Sequence, residues 1–151
     1  MLNVVQKIAE EMVALMAQVM DSDVGVNPKV GKNTLVGSRL RESLASVARV
    51  QGDMLVAGVL ANHYLDFIES GRRKGAAAPP FSAIAEWCSR KGLPSDNSTV
   101  WRIRNAIVRD GIAARPVLSV FFDRVEGMFS ETWSDMLFNV ITDNLDKYFD
   151  S

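Results

Sequence analysis

Apolar residues recur at helical spacing near both ends of the chain. Val5, Ile8, Met12, Leu15 and Val19 are separated alternately by three and four positions, which predicts an amphipathic helix that ends by Asp21. A long C-terminal helix is predicted with a broad apolar face, made of Phe129, Trp133, Met136, Leu137, Val140, Ile141, Leu145 and Tyr148. We expect these two helices together to cover one face of a small sheet.

The region after the first helix contains the best strand signal. The segment "DSDVGVNPKVGKNT" is rich in breakers and predicts a loop, and "SRLRESLAS" predicts a short helix capped by Ser38. Two runs rich in β-branched residues then lie on either side of Gln51-Gly52-Asp53. This pattern predicts a β-hairpin.

Three further helices are predicted between the hairpin and the C-terminal helix. "NHYLDFIES" has helical spacing through Tyr64, Phe67 and Ile68, and Gly71 stands where a left-handed cap is wanted. Ser82 is predicted to cap a helix that carries Ile84 and Trp87 and ends at Gly92. Asp96-Asn97-Ser98 is predicted to cap another that ends at Gly111.

The predicted elements fit one α+β domain over residues 1–151. It comprises a small antiparallel sheet with a β-hairpin, flanking N-terminal and long C-terminal helices, and a helical insertion at 82–112. With 151 residues, 48% hydrophobic and 23% charged, the composition is that of a globular chain with one core. The uninterrupted apolar runs are too short to span a bilayer, and no basic leader precedes a hydrophobic block, so we expect synthesis and retention in a cytoplasm.

Candidate catalytic and metal-binding chemistry is sparse. One cysteine, Cys88, excludes an internal disulfide, and one histidine excludes the usual zinc patterns. His63 with Asp66 three residues later is the best candidate for a base and its orienting group, although a lone helical histidine is more often structural or exposed. "VGVNPKVGKNT" lacks the spacing of a phosphate-binding loop. We therefore expect no enzyme activity, no cofactor and no metal.

Charge is unevenly distributed along a chain whose net charge is −1. From Gly71 to Arg115 there are nine Arg or Lys against three acidic residues, a balance of +6. From Pro116 to the end the balance is −5, and from Met1 to Ser70 it is −2. The most concentrated basic stretch is "GRRKG", in which Arg72, Arg73 and Lys74 follow a predicted helix end. As a segment alone, this is typical of a solvated loop.

Three short motifs resemble those of the head–tail joining, or tail-completion (neck), proteins of tailed bacteriophages, a family related to tail terminator proteins. Gly37, Leu40, Arg41 and Ser43 match a Gly-x-Leu-Arg-x-Ser-like start. The family's middle motif is approximated by Tyr64, Phe67, Glu69, Gly71 and Arg72. Its later Ala-Arg-Pro motif is matched by Ala114, Arg115 and Pro116. Val117 stands where the family usually has an aromatic residue, and about forty residues separate the last two motifs, where shorter members have almost none.

The resemblance implies a structural virion protein in the neck or tail, assembled in the host bacterial cytoplasm. It implies a homo-oligomeric ring, six- or twelve-fold, that contacts other neck, portal-adaptor or tail-tube proteins and surrounds passing DNA. Arg72, Arg73, Lys74 and Arg115 are then the candidates for a subunit interface or for a DNA channel that meets phosphates without reading sequence. No membrane partner is implied.

A DNA-binding regulator is the alternative from another class. Residues 82–111 read as two short helices and a turn, and Arg102, Arg104 and Arg109 on the second helix are placed to reach a duplex, as in a helix-turn-helix. The joining segment is longer than the usual turn of three or four residues.

Overall fold

The N-terminal apolar stripe forms a helix as predicted. In the computed structural model, which describes residues 1–62 and 64–150, helix α1 spans Leu2–Asp21 and buries Val5, Ile8 and Val19. The helix ends at Ser22, whose backbone is extended and whose hydroxyl accepts a hydrogen bond from the Val24 amide. This bond caps a 3₁₀ turn at Asp23–Gly25 and turns the chain away from the helix axis.

The chain divides into two compact units. Unit 1 is Met1–Glu69 with Arg115–Ser151, and unit 2 is Ser70–Ala114. The predicted insertion at 82–112 therefore lies inside unit 2, which also includes the basic loop and the segment after the second short helix. Among the described residues, no helix combines the length and the apolar character that crossing a membrane requires.

Unit 1 contains two antiparallel strand pairs, so the fold is α+β as predicted. Strands β1 (Val26–Asn27) and β2 (Lys32–Asn33) form a short pair inside the segment that was predicted as loop alone. Helix α2 (Arg39–Glu42) is capped by Ser38, as expected. The predicted hairpin is β3 (Ala45–Gln51) with β4 (Met54–Leu60), in a register that pairs Gln51 with Met54.

Helix α1 packs against the hairpin and against the first part of the C-terminal helix. Helix α3 (Tyr64–Ser70) also belongs to this unit except for its last residue. The core that these elements share consists of Met16, Val19, Met20, Leu35, Leu40, Leu65, Ile68, Val117 and Phe121.

The long C-terminal helix forms in three consecutive segments. Helix α6 (Val117–Met128) passes through a π-helical turn (Phe129–Trp133) into helix α7 (Ser134–Asp150). The Trp133 indole N–H donates to Glu11 Oε2 at 2.6 Å, which attaches the π turn to α1.

The prediction that this helix covers one face of the sheet together with α1 is not met along α7. Trp133 is buried, but α7 buries no residue, and Phe129, Ile141, Leu145 and Tyr148 are exposed. The physical reason is length. The 12, 5 and 17 residues of the three segments span roughly 50 Å, whereas the seven-residue strands span only about 23 Å.

Unit 2 contains helices α4 (Phe81–Arg90) and α5 (Asn97–Asp110) around a small core of Ile84, Cys88 and Val100. The predicted cap of α5 is confirmed, because Asp96 accepts from the Thr99 amide and hydroxyl. Both hydrogen bonds lower the pKa of the Asp96 carboxyl, and the bond from the Thr99 hydroxyl contributes more than the bond from the Thr99 amide. The predicted cap of α4 is wrong, since the helix begins after Pro80 and Ser82 lies within it.

Helix α4 buries Ile84 and Cys88 and exposes Trp87. Trp87 is 46% exposed, whereas the next residue, Cys88, is fully buried with Ile84. Residues four apart share a helix face, and adjacent residues are turned by about 100°. Cys88 therefore shares the buried face of α4 with Ile84, and Trp87 is turned away from it.

Candidate interaction surfaces

The "GRRKG" segment is bonded to the end of helix α5. The Arg72 amide donates to the Ile112 carbonyl at 2.8 Å, and the Ile112 amide donates back to the Arg72 carbonyl at 2.9 Å. The Gly75 amide also donates to the Val108 carbonyl at 2.6 Å. The two ends of unit 2 are thus paired through their backbones, and the loop has a fixed course.

Two glycines make this close pairing possible. Gly71 has φ +68° and Gly111 has φ +70°, the left-handed region that favours glycine. A Cβ on Gly71 would lie 2.4 Å from the Ile112 carbonyl oxygen, and one on Gly111 would lie 2.4 Å from the Arg72 carbonyl oxygen. Gly71 is therefore the predicted helix stop and, in addition, a point where no side chain fits between two backbone segments.

The basic triplet separates into two parts with different roles. Arg72 is half-buried, and its guanidinium donates to the Ala77 carbonyl, which shapes the loop from within. Arg73 and Lys74 are exposed. Of the predicted triplet, the pair Arg73–Lys74 is what the loop presents to solvent.

Arg115 is not on the surface, which corrects its place among the interface or channel candidates. Its side chain is 6% exposed, and Nη1 donates to the Gly25 carbonyl and to Thr34 Oγ1, both at 2.8 Å. Its amide donates to the Ile68 carbonyl at 2.8 Å. Arg115 therefore joins three separated segments of unit 1, and a phosphate or neighbouring subunit has little access to it.

Glu69 caps helix α6 from 49 residues earlier in the chain. Its Oε2 accepts from the Leu118 amide at 2.7 Å, and its Oε1 accepts from the Ser119 amide at 3.2 Å. Pro116, the residue before the helix, has no side chain that can accept these bonds. A carboxylate here also interacts favourably with the positive end of the helix dipole.

The first motif that carries the resemblance is also structural. Gly37 has φ +69°, Leu40 lies in the core, and Ser43 Oγ donates to the Leu40 carbonyl and accepts from the Asn62 amide. Arg41 makes a two-bond ion pair with Asp21, at 2.7 and 2.9 Å. The Arg41 guanidinium, by hydrogen bonding and charge, lowers the pKa of the Asp21 carboxyl.

The residues of this first motif thus make their contacts within unit 1. The side chains of two further motif residues, Tyr64 and Phe67, lie outside the described part of the chain. So does His63, the candidate general base for which Asp66 was the candidate orienting group.

Unit 2 presents a cationic surface with exposed aromatic residues. It contains eight Arg or Lys and three acidic residues, a net charge of +5. Trp87 is 46% exposed and Trp101 is 49% exposed. The Arg104 guanidinium lies 4.9 Å from the Trp101 ring centre, and Phe81 contacts the same ring at 6.1 Å between centroids. Arginine and tryptophan are the residue types that dominate binding energy in protein interfaces.

Unit 1 presents an apolar stripe on an acidic background. The C-terminal stripe, as we call it, consists of exposed residues along α6, the π turn and α7: Phe122, Phe129, Phe138, Ile141, Leu145 and Tyr148. Unit 1 has nine basic and fifteen acidic residues, a net charge of −6. An exposed apolar patch of this extent is typical of a surface that binds another macromolecule.

An open groove of about 570 Å³ borders this stripe within unit 1. Its walls are α1, β4 and the α6–α7 helix, and its lining is mainly apolar, with Val5, Leu55, Phe122, Phe129 and Leu137 among the lining residues. Of the described residues that line it, Glu126 is the one with an ionisable side chain. A lining of this kind is suited to contact with apolar groups.

Within residues 1–62 and 64–150, no group of three or more His, Cys, Asp or Glu side chains is placed to hold a metal ion. Comparisons of the chain with protein-family models, with curated proteins and with solved structures found no match.

Proposed function

We propose that the protein is a structural virion component that forms a closed ring at the neck or tail of a tailed bacteriophage. The position is that of head–tail joining, tail completion or tail termination, and DNA passes through the ring. The resemblance of the three motifs suggests this position. The ring requires head-to-tail contacts, in which each subunit offers two different complementary surfaces.

One observation supports this proposal above the others: the two compact units have opposite net charges, +5 and −6, and each exposes large apolar side chains. Two unlike surfaces on one chain are what a heterologous contact needs. A purely monomeric protein has no need to leave an apolar helix face of this length in water.

The exposed pair Arg73–Lys74 gives the proposal a direct test. Replacing both residues with serine, while Arg72 is kept for its bond to Ala77, should leave the fold intact because exposed loop charges contribute little to stability. The yield of infectious particles should nevertheless fall sharply. The matched control is Lys7→Ser with Lys32→Ser, which removes the same charge from exposed positions of unit 1.

The defect of the Arg73/Lys74 variant distinguishes two uses of the loop. Loss of a neighbour contact leaves heads or tails that lack this ring. Loss of a phosphate contact leaves the ring in place in particles that retain or eject DNA poorly. Normal particle yield from the variant would mean that the pair is only a solvated loop end.

The helix-turn-helix alternative is less consistent with the bonds that unit 2 makes. Arg104 Nε donates to the Pro79 carbonyl, and Arg109 is paired with Asp110 by two bonds of 3.0 Å. Arg102 Nη2 also donates to Ser98 Oγ at 3.4 Å, so all three arginines proposed to reach DNA have partners within the unit. A gel-shift comparison of a random duplex with a candidate operator tests the alternative, because a regulator discriminates between them and a ring does not.

A further inference from the structure

Unit 2 combines exposed apolar anchors with a cationic rim. Trp87 lies on α4, Leu93 follows it and Trp101 lies on α5, and all three are more than 40% exposed. Lys91 and Arg102 are exposed residues close to them in the chain. Interfaces commonly have this composition, with aromatic residues at the centre and charged residues around it.

The C-terminal stripe has the reciprocal composition. Its exposed aromatic and aliphatic side chains include Phe129, Phe138 and Ile141. From Pro116 to the end of the chain there are seven acidic and two basic residues, and the acidic residues Asp135 and Asp143 on α7 are exposed. An apolar row within an acidic surface is complementary to tryptophans within a basic one.

The charges select one occupant for the stripe. A second C-terminal stripe would place like charges opposite each other, and such juxtaposition is unfavourable at an interface. Unit 2 of another copy offers both the apolar anchors and the opposite charge. We infer that the C-terminal stripe of one protomer binds the unit 2 surface around Trp87, Leu93 and Trp101 of the next protomer. This inference rests on the proposed ring.

This contact is heterologous, so it propagates from copy to copy and closes only when the rotation between copies allows it. It also assigns the apolar residues that the core of unit 1 leaves uncovered: they form the subunit interface. The Arg73–Lys74 loop is then left for other neighbours or for DNA.

A charge-exchange experiment on the full chain tests the contact. The unit 2 variant is Lys91→Glu with Arg102→Glu, and the stripe variant is Asp135→Lys with Asp143→Lys. Association is followed by sedimentation and native mass measurement up to about 1 mM, where even a contact of about −4 kcal/mol is half occupied. We expect each variant alone to associate at least about tenfold more weakly than the wild type, and a mixture of the two to recover association as mixed oligomers.

Two further variants separate this contact from general effects of charge and folding. Lys7→Glu with Lys32→Glu makes the same change of charge on unit 1, away from the stripe residues in sequence, and should leave association near the wild-type level. Trp87→Ala should weaken it about 30-fold, the effect of a hot-spot residue, while circular dichroism stays unchanged.

The contact is overturned by any of three results. These are a wild-type chain that is monomeric at 1 mM, charge variants that do not rescue each other, and oligomers that form equally well with either surface altered. None of these refutes the virion proposal, whose test is the presence of the chain in phage particles. Conversely, rescue in trans establishes the contact even if the protein belongs to another kind of assembly.

Discussion

Substitution of Glu69 by alanine removes the long-range cap of helix α6. The two amides that lose their acceptor, those of Leu118 and Ser119, belong to the first turn of the helix and have no intrahelical partner. Pro116 has no polar side chain to replace the lost carboxylate. The first turn of α6 should then fray, while the buried Val117 and Phe121 hold the rest of the helix in the core.

The magnitude follows from two contributions. Loss of a side-chain cap costs about 1 kcal/mol, and loss of a negative charge at a helix N-terminus costs about 0.3–1 kcal/mol more. We therefore expect Glu69→Ala to lower the free energy of unfolding by about 1–2 kcal/mol. For a chain of this size, that corresponds to a fall in Tm of roughly 3–6 °C. Glu69→Gln should lower the free energy of unfolding by about half as much, because the glutamine amide keeps one acceptor oxygen but carries no negative charge.

Thermal unfolding and amide hydrogen exchange together provide the assay. The amides of Leu118 and Ser119 should lose protection in Glu69→Ala, and amides of α1 should lose little. Asp66→Ala is the control, since it removes an exposed carboxylate from the same helix, α3. If Glu69→Ala is no less stable than Asp66→Ala, and the two amides stay protected, the proposed contribution of Glu69 to the stability of α6 is refuted.

Three other substitutions test the remaining structural features. Gly71→Ala should lower the free energy of unfolding by more than Gly75→Ala, because both residues have positive φ but only at Gly71 would the new Cβ meet backbone atoms. Equal losses of unfolding free energy in denaturant would contradict the close approach. Arg41→Gln should reduce stability modestly near pH 7. The pKa of Asp21 is lowered from 3.8 in the folded chain, so the difference in stability between Arg41→Gln and the wild type should persist above about pH 4 and disappear as pH falls through the folded pKa. A stability difference that is independent of pH in acid-unfolding curves would refute the pairing. Pro116→Ala should cost about 0.4–1 kcal/mol by freeing the unfolded chain and should reduce particle assembly; unchanged melting and unchanged particle yield would count against a structural junction at this position.

Features with local signals were predictable from the sequence. The periodic stripe of α1, the turn at Gly52 between two β-rich runs, and the Asp96 cap each depend on residues within a few positions of one another. The exact start of a helix was not predictable where more than one residue could precede its first turn. Helix α4 begins at Phe81, one residue before the predicted cap at Ser82.

Features that depend on distant partners were not predictable. Nothing near Glu69 in sequence indicates that it caps a helix 49 residues later, and nothing near Arg115 indicates that its partners are Gly25 and Thr34. The C-terminal apolar face has the periodicity of a core helix. Whether such a face meets its own sheet or another molecule depends on the size of the sheet, which helical periodicity does not report.

Purified phage particles from cells whose genome encodes the chain provide the direct test of whether it is a virion ring component. The particles are examined by mass spectrometry for the chain and by electron microscopy with an antibody against it. We expect the chain to be present in multiple copies and the label to lie at the neck or at a tail end, in a closed ring. Intact infectious particles from these cells that contain none of this chain would contradict it.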